Sequence, residues 1–290
     1  FINVDFDFTA PSDIDYQALK RLFQQLFYTH APQMDLGKLA DHVVYMSQEH
    51  GTGTVVKVDD LEQVHDPYAV TSVVTLGEAS PAAEVIQSYL VAQLSRAASA
   101  KPLLDLVKSA SSTAPLTFVL SERMINLPCQ IVVPMMRMLF AELEEGRNEV
   151  SPPARCPSHA IFFSRAFSAD ALEEGHDEDN NDDEPTGLAG ARKRKAHGDH
   201  AHPSDAAAAA LGKEVSNKRG TGASHDDGYG SFHPEDEFIM AVASHAYTFR
   251  FPAPRDAADT YEPPFFGRVL AVPYTKVPDL LSKLESAFPA

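Results

Sequence analysis

The sequence predicts a mixed α/β (α+β) fold, a single mixed β-sheet flanked by helices. Three observations lead there. Apolar stripes of helical period alternate along the chain with β-branched runs, so helices and strands intermix instead of segregating. Some strand-like runs alternate apolar and polar residues, while one at least is mostly apolar, so the sheet has both half-wet and covered strands. A chain of 290 residues, 44% of them hydrophobic, is also long enough to bury a full core.

Taken in order, Ile2, Val4, Phe6 and Phe8 share one face of a first strand and Asn3, Asp5 and Asp7 the other. Pro11 and Ser12 open a helix, with Asp15 completing a near capping box and Leu19, Leu22, Phe23, Leu26 and Phe27 as its apolar stripe. A second helix carries Leu36, Leu39, Ala40, Val43 and Val44, is capped by Asp35 and stops at Gly51 and Gly53. Strands follow at 54–58 and 68–76, rich in β-branched residues. Pro81 starts a helix bearing Val85, Ile86, Tyr89, Leu90 and Leu94, and a shorter one covers 103–108. Residues 116–120 form the apolar strand. The segment 128–143 is helical, with Pro134 expected to kink or restart it. A strand at 160–167, a helix at 234–243 with Glu235, Asp236 and Glu237 in its favourable first turn, strands at 247–251 and 265–272, and a helix through Val277, Leu280, Leu281 and Leu284 complete the core. The spacing shows no internal repeat.

Residues 168–230 differ. Their large aliphatic residues are Leu172, Leu188, Leu211 and Val215 and their one aromatic is Tyr229. Such a segment buries too little apolar surface to offset its ordering entropy. The predicted organisation is therefore one core domain, 1–167 with 231–290, interrupted by a disordered charged insertion. Within it Glu173, Glu174, Asp177, Glu178, Asp179, Asp182, Asp183 and Glu184 form an acidic strip, either a docking strip for a basic partner or a solvated linker. Arg192, Lys193, Arg194 and Lys195 read as a short nuclear-localisation signal, so a nuclear location is expected.

Charge narrows the function. Lys plus Arg number 24 against 41 Asp plus Glu, a net charge of −17. Nucleic-acid binding rests on phosphate neutralisation by Lys and Arg, so no direct nucleic-acid partner is expected; such a field attracts basic proteins instead. The two cysteines, Cys129 and Cys156, fit no zinc spacing and suit a reducing compartment. No apolar run reaches the ~20 residues that span a bilayer, so no membrane partner is expected. The chain starts at Phe1, not Met, and a preceding piece of the natural chain is expected.

Catalytic patterns find no support. Gln48-Glu49-His50-Gly51-Thr52-Gly53 matches the loop of acetyl-CoA-binding acetyltransferases, where backbone N–H groups at a helix N-terminus cradle a pyrophosphate. Here the order is helix, loop, strand, which offers the helix's negative end; a helix stop before a strand is the plainer reading. His197, His200 and His202 have no fixed geometry for a metal, and neither cysteine has a visible base. Asn3, Asp5 and Asp7 look like a strand's wet face, and His65-Asp66 like a turn. No cofactor is expected. Ser121-Glu122-Arg123-Met124-Ile125-Asn126-Leu127-Pro128 is more specific: it links a buried strand to a Pro-started helix, with Arg123 and Asn126 able to bond backbone in a tight turn. It is a structural element first, and a partner site second.

The stretches Asn3-Val4-Asp5-Phe6-Asp7-Phe8, Gly53-Thr54-Val55-Val56-Lys57, Ser121 to Pro128 and Pro234-Glu235-Asp236-Glu237 together resemble the BCCIP/Bcp family of nuclear proteins, in the family's order and across nearly all the chain outside 168–230. The resemblance implies a fold like that of GCN5-related acetyltransferases without acetyl-CoA machinery. It implies a non-enzymatic chaperone or adaptor for a basic ribosomal protein of the large subunit (L-fourteen in universal naming, L-twenty-three in yeast), shuttling between nucleus and cytoplasm with import and export factors. Roles in ribosome biogenesis and in nuclear export of a lipid kinase come with it. The alternatives are a scaffold for DNA-repair and cell-cycle regulators and a degenerate acetyltransferase.

Overall fold

Ser12 sets the first helix as its spacing to Asp15 predicts. Its backbone N–H and its hydroxyl both donate to Asp15 Oδ2 at 3.0 Å, and a 3-10 turn leads into α1 (Tyr16–Phe27). The computed structural model describes residues 5–58, 66–149, 156–168, 228–253 and 264–289, all within one unit formed by Phe1–Ala169 and His225–Ala290. The acidic strip, the Arg192–Lys195 run and the three histidines at 197, 200 and 202 lie outside the described residues, as do Asn3 and His65.

The predicted stripes are the buried faces. Leu19, Leu22, Phe23, Leu26 and Phe27 of α1 are buried, as are Leu39, Ala40, Val43 and Val44 of α2 (Leu36–His50). Asp35 caps α2 by accepting the Lys38 N–H at 3.2 Å. Gly51 ends it at φ 59 and Gly53 turns the chain at φ 112, backbone that side-chain-bearing residues rarely adopt. α3 (Pro81–Leu94) starts at Pro81 behind the Ser80 cap, and α4 spans Lys101–Ser109. Pro134 does not kink its helix. A 3-10 turn at Cys129–Ile131 precedes α5 (Val132–Glu149), so the proline falls in the first turn, where the missing N–H is tolerated. α6 (Glu235–Val242) and α7 (Val277–Ala287) close the set.

The strands are β1 (Phe6–Thr9), β2 (Thr54–Val58), β3 (Ala69–Leu76), β4 (Leu116–Arg123), β5 (His159–Ser168), β6 (Tyr229–Ser231), β7 (His245–Arg250) and β8 (Phe265–Pro273). They form one sheet in the order β1-β2-β3-β4-β5-β8-β7, with β6 also on β5. Only β4 and β5 pair in parallel among the described residues; the other pairs are antiparallel. Period-two alternation sends Phe118 and Leu120 to a core shared with α1–α4, and Val119 to a second core shared with α5–α7. The sheet is thus covered on both faces, the predicted mixed class.

β4 and β5 pair over a short stretch, Thr117↔Ala160 to Val119↔Phe162, yet β4 runs on to Arg123 and β5 to Ser168. The two diverge. β8 holds the far edge of β5 from His159 to Phe167, so β6, pairing with Ala166, Phe167 and Ser168, takes the edge of β5 that β4 leaves. Two sequence boundaries change accordingly. β4 reaches Arg123 instead of ending at Leu120. Ser168, Tyr229 and Gly230, assigned from sequence to the insertion, belong to the sheet. Deleting 168–230 removes β6 and is expected to lower the melting temperature of the core. Deleting 170–224, which keeps both strands, is expected to leave it unchanged; a thermal melt of the two variants checks this.

Candidate protein-binding site at the diverging strand ends

Between the separated ends of β4 and β5 the chain places a buried polar cluster. Glu122 of β4 is 2% exposed. Its Oε1 accepts from Gln25 Nε2 at 3.1 Å and from the Arg123 N–H at 2.9 Å, and lies 3.0 Å from His233 Nε2. Arg165 of β5 approaches its Oε2 at 3.3 Å. Burial alone would raise the Glu122 carboxyl; the His233 bond, with the charges of Arg165 and His233 and the Arg123 N–H, outweighs it and holds the carboxyl below its usual range.

Arg123 points to the other side of the strand and forms a two-pronged bond with Glu235: Nε to Oε1 at 2.9 Å and NH2 to Oε2 at 3.0 Å. Such a planar fork is the strongest form of carboxylate recognition. Its remaining nitrogen, NH1, donates to the Leu127 carbonyl at 2.9 Å. Arg268 of β8, fully buried, donates to Ser231 Oγ at 2.6 Å and to the Tyr229 carbonyl at 3.2 Å. The segment 229–237 is thereby tied to β4, β5 and β8. Asp236, also buried, is pushed up to about 7, first by burial and further by the Glu235 charge, with His233, Arg268 and the Ser164 hydroxyl opposing. The space enclosed by these side chains is about 30 Å³, roughly the share of one water molecule.

The same cluster shapes the surface. The Met124 N–H donates to the Tyr68 carbonyl at 2.9 Å and the Leu127 N–H to the Met124 carbonyl at 3.1 Å. Leu127 is buried in the second core, and Arg123 pins its carbonyl from within. Held at both ends, the loop exposes Met124 (39%) and Ile125 (49%) at its tip. Of the two residues expected to bond the turn, Arg123 does so; Asn126 stays exposed. Ser121 Oγ sits 3.4 Å from Thr71 Oγ1, and Pro128 precedes the 3-10 turn before α5. A tip whose two ends are already hydrogen-bonded loses less entropy on docking than a free loop would.

The glycine loop is otherwise engaged. The Gly53 N–H donates to Glu142 Oε2 at 2.9 Å, so a carboxylate holds a donor that an acetyl-CoA phosphate would need. Asp66 pairs with Arg21. Cys156 is exposed with its Sγ 3.0 Å from Arg147 NH1, while Cys129 is half-buried and raised, mainly by burial.

A family model described as BCCIP matches residues 1–239, which contain the whole of this cluster except Arg268. The chain belongs to the BCCIP family. Protein BCP1 of Mycosarcoma maydis is 47% identical over 302 residues, covering 99% of this chain and 89% of that protein. Protein bcp1 of Schizosaccharomyces pombe is 30% identical, covering 71% of this chain and 70% of the relative. The crystal structure of BCP1 from Saccharomyces cerevisiae has a TM-score of 0.58 at 18% identity, covering 98% of this chain and 89% of that one, a likeness of fold. The further likeness to GCN5-related acetyltransferases is not carried by these comparisons. In this BCCIP-family chain, the 121–128 and 234–237 stretches that suggested the family are the two that Arg123 and Glu235 join.

Proposed function

We propose that this BCCIP-family chain is a non-catalytic chaperone or adaptor that holds a basic protein, a large-subunit ribosomal protein of the L-fourteen class, before its assembly in the nucleus. One observation carries the reading: an exposed apolar tip, Met124 and Ile125, on a loop hydrogen-bonded at both ends, in a chain of net charge −17. The field speeds capture of a cation-rich client, and the shaped apolar contact supplies the selectivity that charge alone lacks. The ends of β4 and β5 are filled: about 30 Å³ is far below the several hundred Å³ of a usual substrate pocket, so what this end of the sheet offers a partner is its surface. Arg192–Lys195 as an import signal, export factors and a lipid kinase as further partners, and the acidic strip of 173–184 as an auxiliary docking element belong to the same proposal.

Co-expression with the ribosomal protein, followed by gel filtration at moderate salt, tests it. A soluble one-to-one complex is expected, with the client insoluble alone; an equally insoluble client in its presence would sink the reading. Met124→Ser with Ile125→Ser is expected to weaken the complex about tenfold or more, as removal of a central apolar anchor does, without changing the melting temperature. Unchanged affinity would remove the tip from the interface.

A further inference from the structure

The sheet ends in two edge strands, and they differ. Along β7, α4 and the turn before it pack closely. At the other end, β1 pairs with β2 from Phe6↔Val58 to Thr9↔Val55, and among the described residues its outer edge has no partner. An unpaired edge is a row of backbone donors and acceptors that another strand can complete. Short length, charged side chains, proline and bulges protect such edges; in β1 the four-residue length and Asp7 do so, with no lysine or proline, so the one charge set against a docking strand is negative.

The side chains indicate what would dock. Phe6 packs against the second core and Phe8 is 37% exposed, so one face of the edge is apolar. On the other face Asp7 lies opposite Lys57 in register, yet the Lys57 ammonium is taken by buried Asp15 at 2.7 Å. Asp5 and Asp7 are exposed and pair with no cation among the described residues. A second copy of β1 would set like charges against each other, which cross-strand pairs disfavour. A strand alternating Lys or Arg with apolar residues would place cations beside Asp5 and Asp7 and apolar side chains beside Phe6 and Phe8.

We propose that the β1 edge takes up an extended segment of a basic partner protein by strand addition, backbone pairing supplying affinity and the Asp5–Asp7 and Phe6–Phe8 faces supplying register. This rests on the reading of a basic client. The first probe is the peptide Lys-Val-Lys-Val-Lys-Val, capped at both ends and titrated into the full chain. Slowed amide exchange at residues 5–9 is expected, and loss of binding when alternate peptide amides are methylated. Asp5→Lys with Asp7→Lys is expected to lower affinity about tenfold or more. Asp41→Lys with Glu49→Lys, the same charge change on exposed α2 positions, is expected to lower it far less. No binding, protection elsewhere, or equal loss in both variants would overturn the edge. Repeating the two variants with the ribosomal protein separates the proposals. A client complex insensitive to the β1 variant removes the edge and leaves the client, whereas peptide addition without any client complex removes the client and leaves the edge.

Discussion

Glu235→Ala is expected to cost the fold about 3–5 kcal/mol, the usual range for breaking a buried ion pair from one side. The side chains of Arg123 and Glu235 are 6% and 7% exposed, and the fork between them closes at 2.9 Å and 3.0 Å. Removing the carboxylate leaves a guanidinium in the interior that cannot shed its charge by deprotonating. Its remaining acceptor, the Leu127 carbonyl, satisfies one nitrogen only. The measurement is urea unfolding, read as a lower midpoint with an unchanged slope. The paired change Arg123→Met with Glu235→Leu should recover most of the loss, because desolvation of both charges then disappears with their attraction. A single-variant cost below about 1 kcal/mol would put this pair in the range of exposed ones. The double variant should still weaken client binding: without the Arg123 bond to Leu127 the Met124–Ile125 tip has lost its internal clamp.

Most of the layered core was legible because period and capping act locally. The α1 stripe, the Asp35 cap, the Ser12–Asp15 box and the glycine stop of α2 each depend on neighbours within one or two turns. The polar cluster was not legible, because its members come together only through the sheet. Arg165 and Arg268 stand singly in their strands, and nothing in their neighbours marks a partner; the structure turns both inward, toward Glu122 and Ser231. His233 carried no signal in a Ser-Phe-His-Pro stretch. The clue that was present is thermodynamic: an arginine in a strand covered on both faces needs buried acceptors, and here they are Glu122 for Arg165, Glu235 for Arg123 and Ser231 with the Tyr229 carbonyl for Arg268. β6 was missed for the opposite reason. Three residues at the edge of a polar segment have no usable period, and the divergence of β4 from β5 that creates their place is a tertiary fact.

Asp236→Asn is expected to flatten the pH dependence of stability between about pH 4 and 7 and to leave the variant the more stable form above it. The folded carboxyl is pushed up to about 7 from the ordinary 3.8, so between those values the folded state binds the proton and the unfolded state does not. Stability contributed by the neutral acid is therefore fully present below the unfolded value and is lost as pH rises through the folded one. Glu122 works in the opposite direction: held below its usual range, it contributes stability above the unfolded value that disappears as pH falls. The groups facing Asp236 are His233 and Glu235 on its own segment, Arg268 from β8 and the Ser164 hydroxyl from β5. Asparagine keeps the shape and an acceptor for Ser164 while removing the ionisation. Subtracting the urea midpoints of the variant from those of the native chain at pH 5, 6, 7 and 8 isolates Asp236, since Glu122 is common to both. The difference should grow against the native chain up to about pH 7 and then level. It should reach a few kcal/mol, because each tenfold change in acidity between the unfolded and folded carboxyl is worth ~1.4 kcal/mol. Parallel curves would mean that Asp236 enters the fold already charged and paired, with the Arg268 guanidinium as its counter-ion.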